Sequence, residues 1–306
     1  MFKDQYIERT DNLRLPIIEG NLAIMLNNTI YLRSLPLSSG ADEGQLLSYS
    51  LIERSWNAIS TPVGEYELAV CSNSLVLVST RSRQVLVLKD VDEWDPNVIP
   101  WYSTHLDPHS IMSVASSENL LFIVCKLSRG SETTVLCYDV RARQWKNPCC
   151  NGPSVQHDGG KASIFVHHPS QNVYVMLYSP NTRTKFAKAS ISSISEGDGN
   201  VDWTPINVAI DECIPSRHSK MFSIGNQLML AALDRQKMKL FTVVEADNGK
   251  SIMADIDELT IKFGDNLYGV TGCPDGSLVV IADVCDSRDD MVWHSSVMQL
   301  KSAGIH

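Results

Sequence analysis

The chain has 306 residues, 43% of them hydrophobic and 20% charged, and a formal net charge of −9. That length allows one or two domains, buries most of the apolar surface without disulfide or metal staples, and lies far from disordered composition. The acidic balance argues against a general nucleic-acid binder, which needs a basic footprint, while leaving room for a local basic patch.

Most of the eight cysteines sit inside apolar runs such as LAVCSN, FIVCKL and TVLCYD. There cysteine packs as a small hydrophobe, so the expectation is reduced thiols in a soluble, cytoplasmic protein. The N-terminal MFKDQYIERTD is charged and has no apolar signal-like core. No stretch reaches the roughly 18 apolar residues of a membrane span, so no membrane partner is expected.

In chain order, the first element is an orphan segment, QYIERTDNLRLPI, at 5–17. A hairpin AIMLNNTIYL (23–32) follows, then the loop LPLSSGADEG, a third strand LLSYSLIE and an outer strand near Trp56. The pattern returns as LAVCSNSLVLV (68–78), STRSRQ, QVLVLKDV and an outer strand near Trp101. It returns again as SVASSENLLFIV (113–124), KLSRGSETT, TVLCYDVR and Trp145. The fourth occurrence is IFVHHPSQNVYVML (164–177), YSPNTRTKF, KFAKASIS and Trp203. A fifth is MFSIGNQLMLA (221–231), ALDRQKMK and MKLFTVVE, and a sixth VTGCPDGSLVVI (270–281), CDSRDDMVW and WHSSVMQL.

The hairpin turns place Asn28, Asn73, Asn119, Asn172, Asn226 and Gly276 second in the turn, at intervals of roughly 45 to 54 residues. Asn and Gly tolerate the positive φ of tight hairpins, which gives the recurrence a mechanical cause. No long stretch follows a 3.6-residue period. Four antiparallel strands in about 50 residues is the size of a propeller blade, and a lone blade cannot bury both faces. The expected fold is therefore all-β: a six-bladed β-propeller of four-stranded antiparallel blades, one domain over residues 1–306. The sixth repeat runs out of chain after its third strand, so residues about 3–12 are expected to supply the outer strand of the last blade, removing an open sheet edge.

The segments LLSYSLIERSWNAISTP, TVLCYDVRARQWKNPC and, more distantly, GNVDWTPIN resemble the third strand, polar turn, Trp and outer strand of Kelch and galactose-oxidase-like propellers. The resemblance spans the chain in architecture and about three repeats in motif. One departure is plain: no Gly-Gly follows a second strand, and Gly159–Gly160 instead precedes the fourth repeat's first strand. The resemblance implies a recognition platform more often than an enzyme, with partners bound on the side of the second-to-third connections.

Those connections carry Arg81 and Arg83, Arg129, Arg183, Arg235 and Arg288, one or more in each of repeats two to six. The first repeat departs, with Asp42 and Glu43. Arginine's planar fork captures carboxylate or phosphate bidentately, so a series of them favours an acidic peptide. The plainer reading is wet hairpin tips, and Asp234, Asp286, Asp289 and Asp290 offset part of the charge. The inter-repeat crossovers add His105, His109, His157, Asp158, Arg217 and His218, at spacings that fit no metal template. His167–His168 is expected to decorate a tight turn at the opposite end.

No nucleophile elbow, phosphate loop or paired zinc thiolates occur. The expectation is a non-enzymatic module that binds a protein or peptide partner, acidic by preference, through residues 81, 83, 129, 183, 235, 288, 217, 109, 157 and 218. It has no cofactor, no metal and no nucleic-acid partner. The alternative is an enzyme or binder acting on a small molecule or carbohydrate at the mouth of the central channel.

Overall fold

Asn27 and Asn28 take φ of 48° and 61°, and Ser72 and Asn73 take 51° and 58°. Two successive positive φ values make the tight primed turn whose twist matches that of paired strands. The computed structural model describes residues 5–9, 23–34, 45–61, 66–79, 84–90, 93–94, 99–100, 108–127, 133–153, 161–179, 182–197, 200–208, 219–234, 237–245, 251–259, 263–272, 278–285 and 293–302.

The elements follow the repeats. After β1 (Gln5–Arg9) come β2 (Ala23–Leu26), β3 (Thr29–Ser34), β4 (Gln45–Ser50) and β5 (Ser55–Ser60). The second repeat holds β6 (Tyr66–Cys71), β7 (Ser74–Ser79), β8 (Gln84–Asp90) and two short outer pieces, β9 (Glu93–Trp94) and β10 (Ile99–Pro100). The third holds β11 (Pro108–Ser117), β12 (Leu120–Leu127), β13 (Thr133–Asp139) and β14 (Gln144–Asn151). The fourth holds β15 (Lys161–His167), β16 (Asn172–Ser179), β17 (Thr182–Ser190), the short helix α1 (Ile191–Glu196) and β18 (Thr204–Val208). The fifth holds β19 (Ser219–Ile224), β20 (Gln227–Asp234), β21 (Lys237–Glu245) and β22 (Ser251–Leu259). The sixth holds β23 (Phe263–Gly272), β24 (Leu278–Cys285) and β25 (Trp293–Ser302).

Every pairing with a described register is antiparallel, and most join chain neighbours; β10 skips β9 to pair with β8, and β1 pairs with β25, Gln5 opposite Ser302 through Arg9 opposite Met298. The N-terminal strand thus completes the last sheet as its fourth strand, in the order β1-β25-β24-β23. The expected count of six separate sheets is corrected. The described strands form five.

Contacts divide the chain into two compact units, residues 62–207 and residues 1–61 with 208–306. In the first, alternation along LLFIVC explains why a second strand reads as a continuous apolar run. Leu121, Ile123 and Cys125 pack with Ala69, Val76 and Val78 of the second repeat. Phe122 and Val124, on the other face, pack with Ile164, Val166, Val173 and Val175 of the fourth. Full burial of each such side chain is worth about 1.5–3 kcal/mol. Helix α1 adds Ile191 and Ile194, three residues apart on one face, to the same cluster.

The second unit repeats the logic. Leu278, Val280 and Ala282 of β24 face Met229, Ala231 and Leu240, while Val279 and Ile281 face Ile30, Leu32 and Tyr49. The innermost strands β19 and β23 approach so closely that a Cβ at Gly272 would fall on the Ser223 carbonyl oxygen.

Three local expectations are corrected. In the third and fifth repeats the positive φ falls on the first turn residue, Glu118 (49°) and Gly225 (55°), not on the asparagine after it. In the fourth, a single 3-10 turn at His168–Ser170 lengthens the hairpin. Gln171 there takes the left-handed φ of 51° and Asn172 begins the strand. The KFAKASIS strand ends at Ser190, because that hydroxyl caps the N-terminus of α1.

Candidate functional site

In an antiparallel four-stranded run, the first-to-second and third-to-fourth connections lie at one end and the second-to-third at the other. The tight-turn end is consumed by its own hydrogen bonds. Leu51 N–H donates to the Asn28 carbonyl (2.9 Å), Val140 N–H to that of Asn119 (2.8 Å) and Ile191 N–H to that of Gln171 (3.0 Å). In three repeats the two turns of one sheet are therefore tied together at the same place.

The residue ending the third strand caps the turn that follows. Ser50 Oγ accepts from Glu53 N–H (3.1 Å), Asp139 Oδ1 from Ala142 N–H (2.7 Å) and Ser190 Oγ from Ser193 N–H (3.0 Å). Arg54 and Arg143 then take left-handed φ of 52° and 55°. Two residues past each of these arginines come Trp56 and Trp145, each beside a tyrosine of the third strand.

Neighbouring repeats are stitched at this end as well. The Cys71 thiol donates to the Glu118 carbonyl (3.2 Å), Ser72 N–H donates to the same oxygen (2.6 Å), and Ser116 Oγ donates to the Val70 carbonyl. His168 is exposed, with Nδ1 3.3 Å from Ser117 Oγ. His167 does not decorate the turn as expected. It is 5% exposed, its Nδ1 lies 2.8 Å from Ser170 Oγ, and its ring stands edge-on to Tyr174. A β-strand alternates faces, so one histidine of the adjacent pair goes inward.

Burial sets the titration of the buried groups. It pushes the Cys71 thiol up to about 12 and the Tyr138 phenol up to about 12, and it raises Tyr31. A buried, fully protonated thiol is inert rather than nucleophilic. Among the described residues, no group of three or more His, Cys, Asp or Glu could hold a metal ion.

The opposite end is delimited by its strand ends. The second-to-third connections run from Ser79 to Gln84, Leu127 to Thr133, Ser179 to Thr182, Asp234 to Lys237 and Cys285 to Trp293. Arg81, Arg83, Arg129, Arg235 and Arg288 fall inside these gaps, and with Arg217, His157 and His218 they lie outside the described residues. Arg183 sits in β17, one residue past the Ser179–Thr182 pair, and His109 in β11; for both the backbone alone is described. Two further cations stand beside the connections. Lys126 is half-buried and pairs in register with Thr133, and Lys185 is exposed opposite Leu177. Sequence reading missed Lys126 because it lies in the strand and not in the turn.

Comparison with solved structures bears on the fold. The chain is similar to a fungal alcohol oxidase of the AA5 family in complex with copper, at 8% identity and a TM-score of 0.54, covering 95% of this chain and 75% of that one. It is also similar to a putative 6-phosphogluconolactonase from Bacteroides uniformis ATCC 8492, at 13% identity and a TM-score of 0.51, covering 88% of this chain and 80% of that one. The fold is a β-propeller. No protein-family model and no curated protein matches the chain. Similarity at this identity reaches the propeller fold and stops there, since the fold carries recognition and catalysis alike. Among the described residues, no helix is long and apolar enough to cross a membrane.

Proposed function

We propose that this propeller is a non-enzymatic interaction module, divergent Kelch-like in its repeats, that binds an acidic protein segment along the second-to-third-strand connections. The observation that carries the reading is recurrence at one topological position. Arginine occurs in or at the edge of five successive connections, each bounded by an antiparallel strand pair. The other end of the sheets is occupied by structural hydrogen bonds, which leaves this end for recognition. Guanidinium groups hold carboxylates through paired N–H donors, and Lys126 and Lys185 extend the positive rim. In an acidic chain such a rim steers a partner of opposite sign to one place.

The sequence repeats six times, and the described strands form five sheets. Arg217, His109, His157 and His218 of the crossovers join the same recognition end in this reading. The buried thiols Cys71, Cys125 and Cys137 suit a reducing, cytoplasmic setting.

The test is binding to an acidic peptide library at several salt concentrations, with Arg129→Glu and Arg183→Glu combined. Each charge-assisted contact is worth about 1.5–3 kcal/mol, so a loss of about tenfold or more is expected, together with a shallower salt dependence. Equal affinity in wild type and variant would remove the reading.

A further inference from the structure

The third and fourth repeats face each other across one apolar gap. Phe122 and Val124 of β12 pack there with Val173, Val175 and Leu177 of β16. The ladder from Leu120 to Lys126 has no bulge, so strand alternation puts Lys126, two residues beyond Val124, on that same face. Partners in register share a face, so Lys185, opposite Leu177, looks into the same gap from the fourth repeat. Both lysines stand where their strands reach the second-to-third connections.

Lys126 is half-buried, and neither lysine has an ion-pair partner among the described residues. At the other end of the third repeat the case differs, since Lys146 lies 3.6 Å from the Asp139 carboxylate. Withdrawing part of a charged side chain from water is unfavourable unless a counter-charge compensates. A lysine stem can cover apolar surface and keep its ammonium wet, which would account for one such residue. Two of them on facing sheets at one end of one gap add like-charge repulsion, which an anion between them would relieve.

We infer that the gap between the third and fourth repeats is a phosphate subsite, in which Lys126 and Lys185 together take a phosphoserine or phosphothreonine of the acidic partner segment. The inference rests on the recognition end proposed above and names one group that the partner presents there. Two ammonium groups call for two negative charges at one point. A phosphate monoester carries about −1.5 to −2 at neutral pH and three acceptor oxygens, whereas a carboxylate carries a single charge. Lysine is a compact point charge that suits phosphate, while the planar fork of arginine pairs with a carboxylate through two parallel bonds. The arginines of the connections and the lysines of the gap thus divide the segment between them, carboxylates on the rim and phosphate in the gap.

The experiment is fluorescence anisotropy of two labelled peptides against the full chain, a polyglutamate with one central phosphoserine and the same peptide with serine. Wild type should bind the phosphorylated peptide about tenfold tighter. Lys126→Gln combined with Lys185→Gln should bind the two peptides alike, with an unchanged circular dichroism spectrum. Lys126→Arg combined with Lys185→Arg keeps the charge and should keep the preference. In wild type the phosphorylated peptide should also protect both amines from acetylation, read by mass spectrometry, a measurement that needs no variant to fold. Equal binding of the two peptides by wild type would overturn the inference and leave the acidic-segment reading standing. So would a preference that survives intact in the glutamine variant. Binding of neither peptide would overturn both.

Discussion

The ring of Tyr138 and the indole of Trp145 meet edge-on with centroids 4.9 Å apart, and Tyr49 and Trp56 repeat the pair at 4.8 Å. Both pairs face each other in register across the third and fourth strands. Both follow from the same short text, a tyrosine, a capping Ser or Asp, a four-residue turn with arginine at its left-handed position, and the Trp.

The pair fixes the outer strand to the sheet, and its contribution is measurable. A double-mutant cycle with Tyr138→Leu and Trp145→Ala is expected to give a coupling of about 1 kcal/mol. Tyr138→Phe should behave differently. The hydroxyl is buried and has no hydrogen-bond partner among the described residues. Removing it should leave stability unchanged or raise it by up to about 1 kcal/mol in urea unfolding. A loss larger than that would show that the hydroxyl is satisfied.

Alkali should unfold the protein through its buried acids. Burial raises Cys71 from 9.0 to about 12 and Tyr138 from 10.0 to about 12. Above pH 9 the unfolded chain releases these protons while the folded chain keeps them. The unfolded state then binds fewer protons, so stability falls as pH rises and is fully present only below pH 9. Urea midpoints measured from pH 8 to 11 should decline. The decline should be shallower in a Cys71→Ala, Tyr138→Phe double variant, and identical slopes would contradict this origin.

The β1–β25 ladder predicts a cost for losing the N-terminus. Five residue pairs join the first described strand to the last. Net backbone hydrogen bonds are worth about 1 kcal/mol each, so deleting residues 1–14 should lower Tm by about 5 °C or more. An unchanged melting temperature would mean that the ladder adds nothing to stability.

Much of this was legible in the chain because the period-two burial of each strand and the turn chemistry are local. LVLVSTRSRQVLVL, a hairpin around Arg81 and Arg83, becomes β7 and β8 with the boundaries its alternation implies. The N-terminal strand was legible from the repeat pattern, since among the described residues the sixth repeat supplies three strands and β1 the fourth. What escaped was set by tertiary neighbours. Glu118 takes the left-handed position where Asn119 would suit it better, and its carbonyl accepts from both Cys71 and Ser72 of the adjacent repeat. Helix α1 is one and a half turns long, too short for a 3.6-residue period to be visible. For the proposed recognition end, the arginines and their spacing were legible in the chain, and most of them lie outside the described residues.

The central claim is tested most directly by fluorescence anisotropy of a labelled polyglutamate peptide against the full chain, titrated with salt. Wild type should bind with an affinity that falls steeply as salt rises, and Arg129→Glu combined with Arg183→Glu should weaken binding by about tenfold or more. A polylysine peptide should show the reverse preference between the two proteins. Equal affinity of wild type and variant for polyglutamate, with no dependence on salt, would contradict recognition by the arginine-bearing connections.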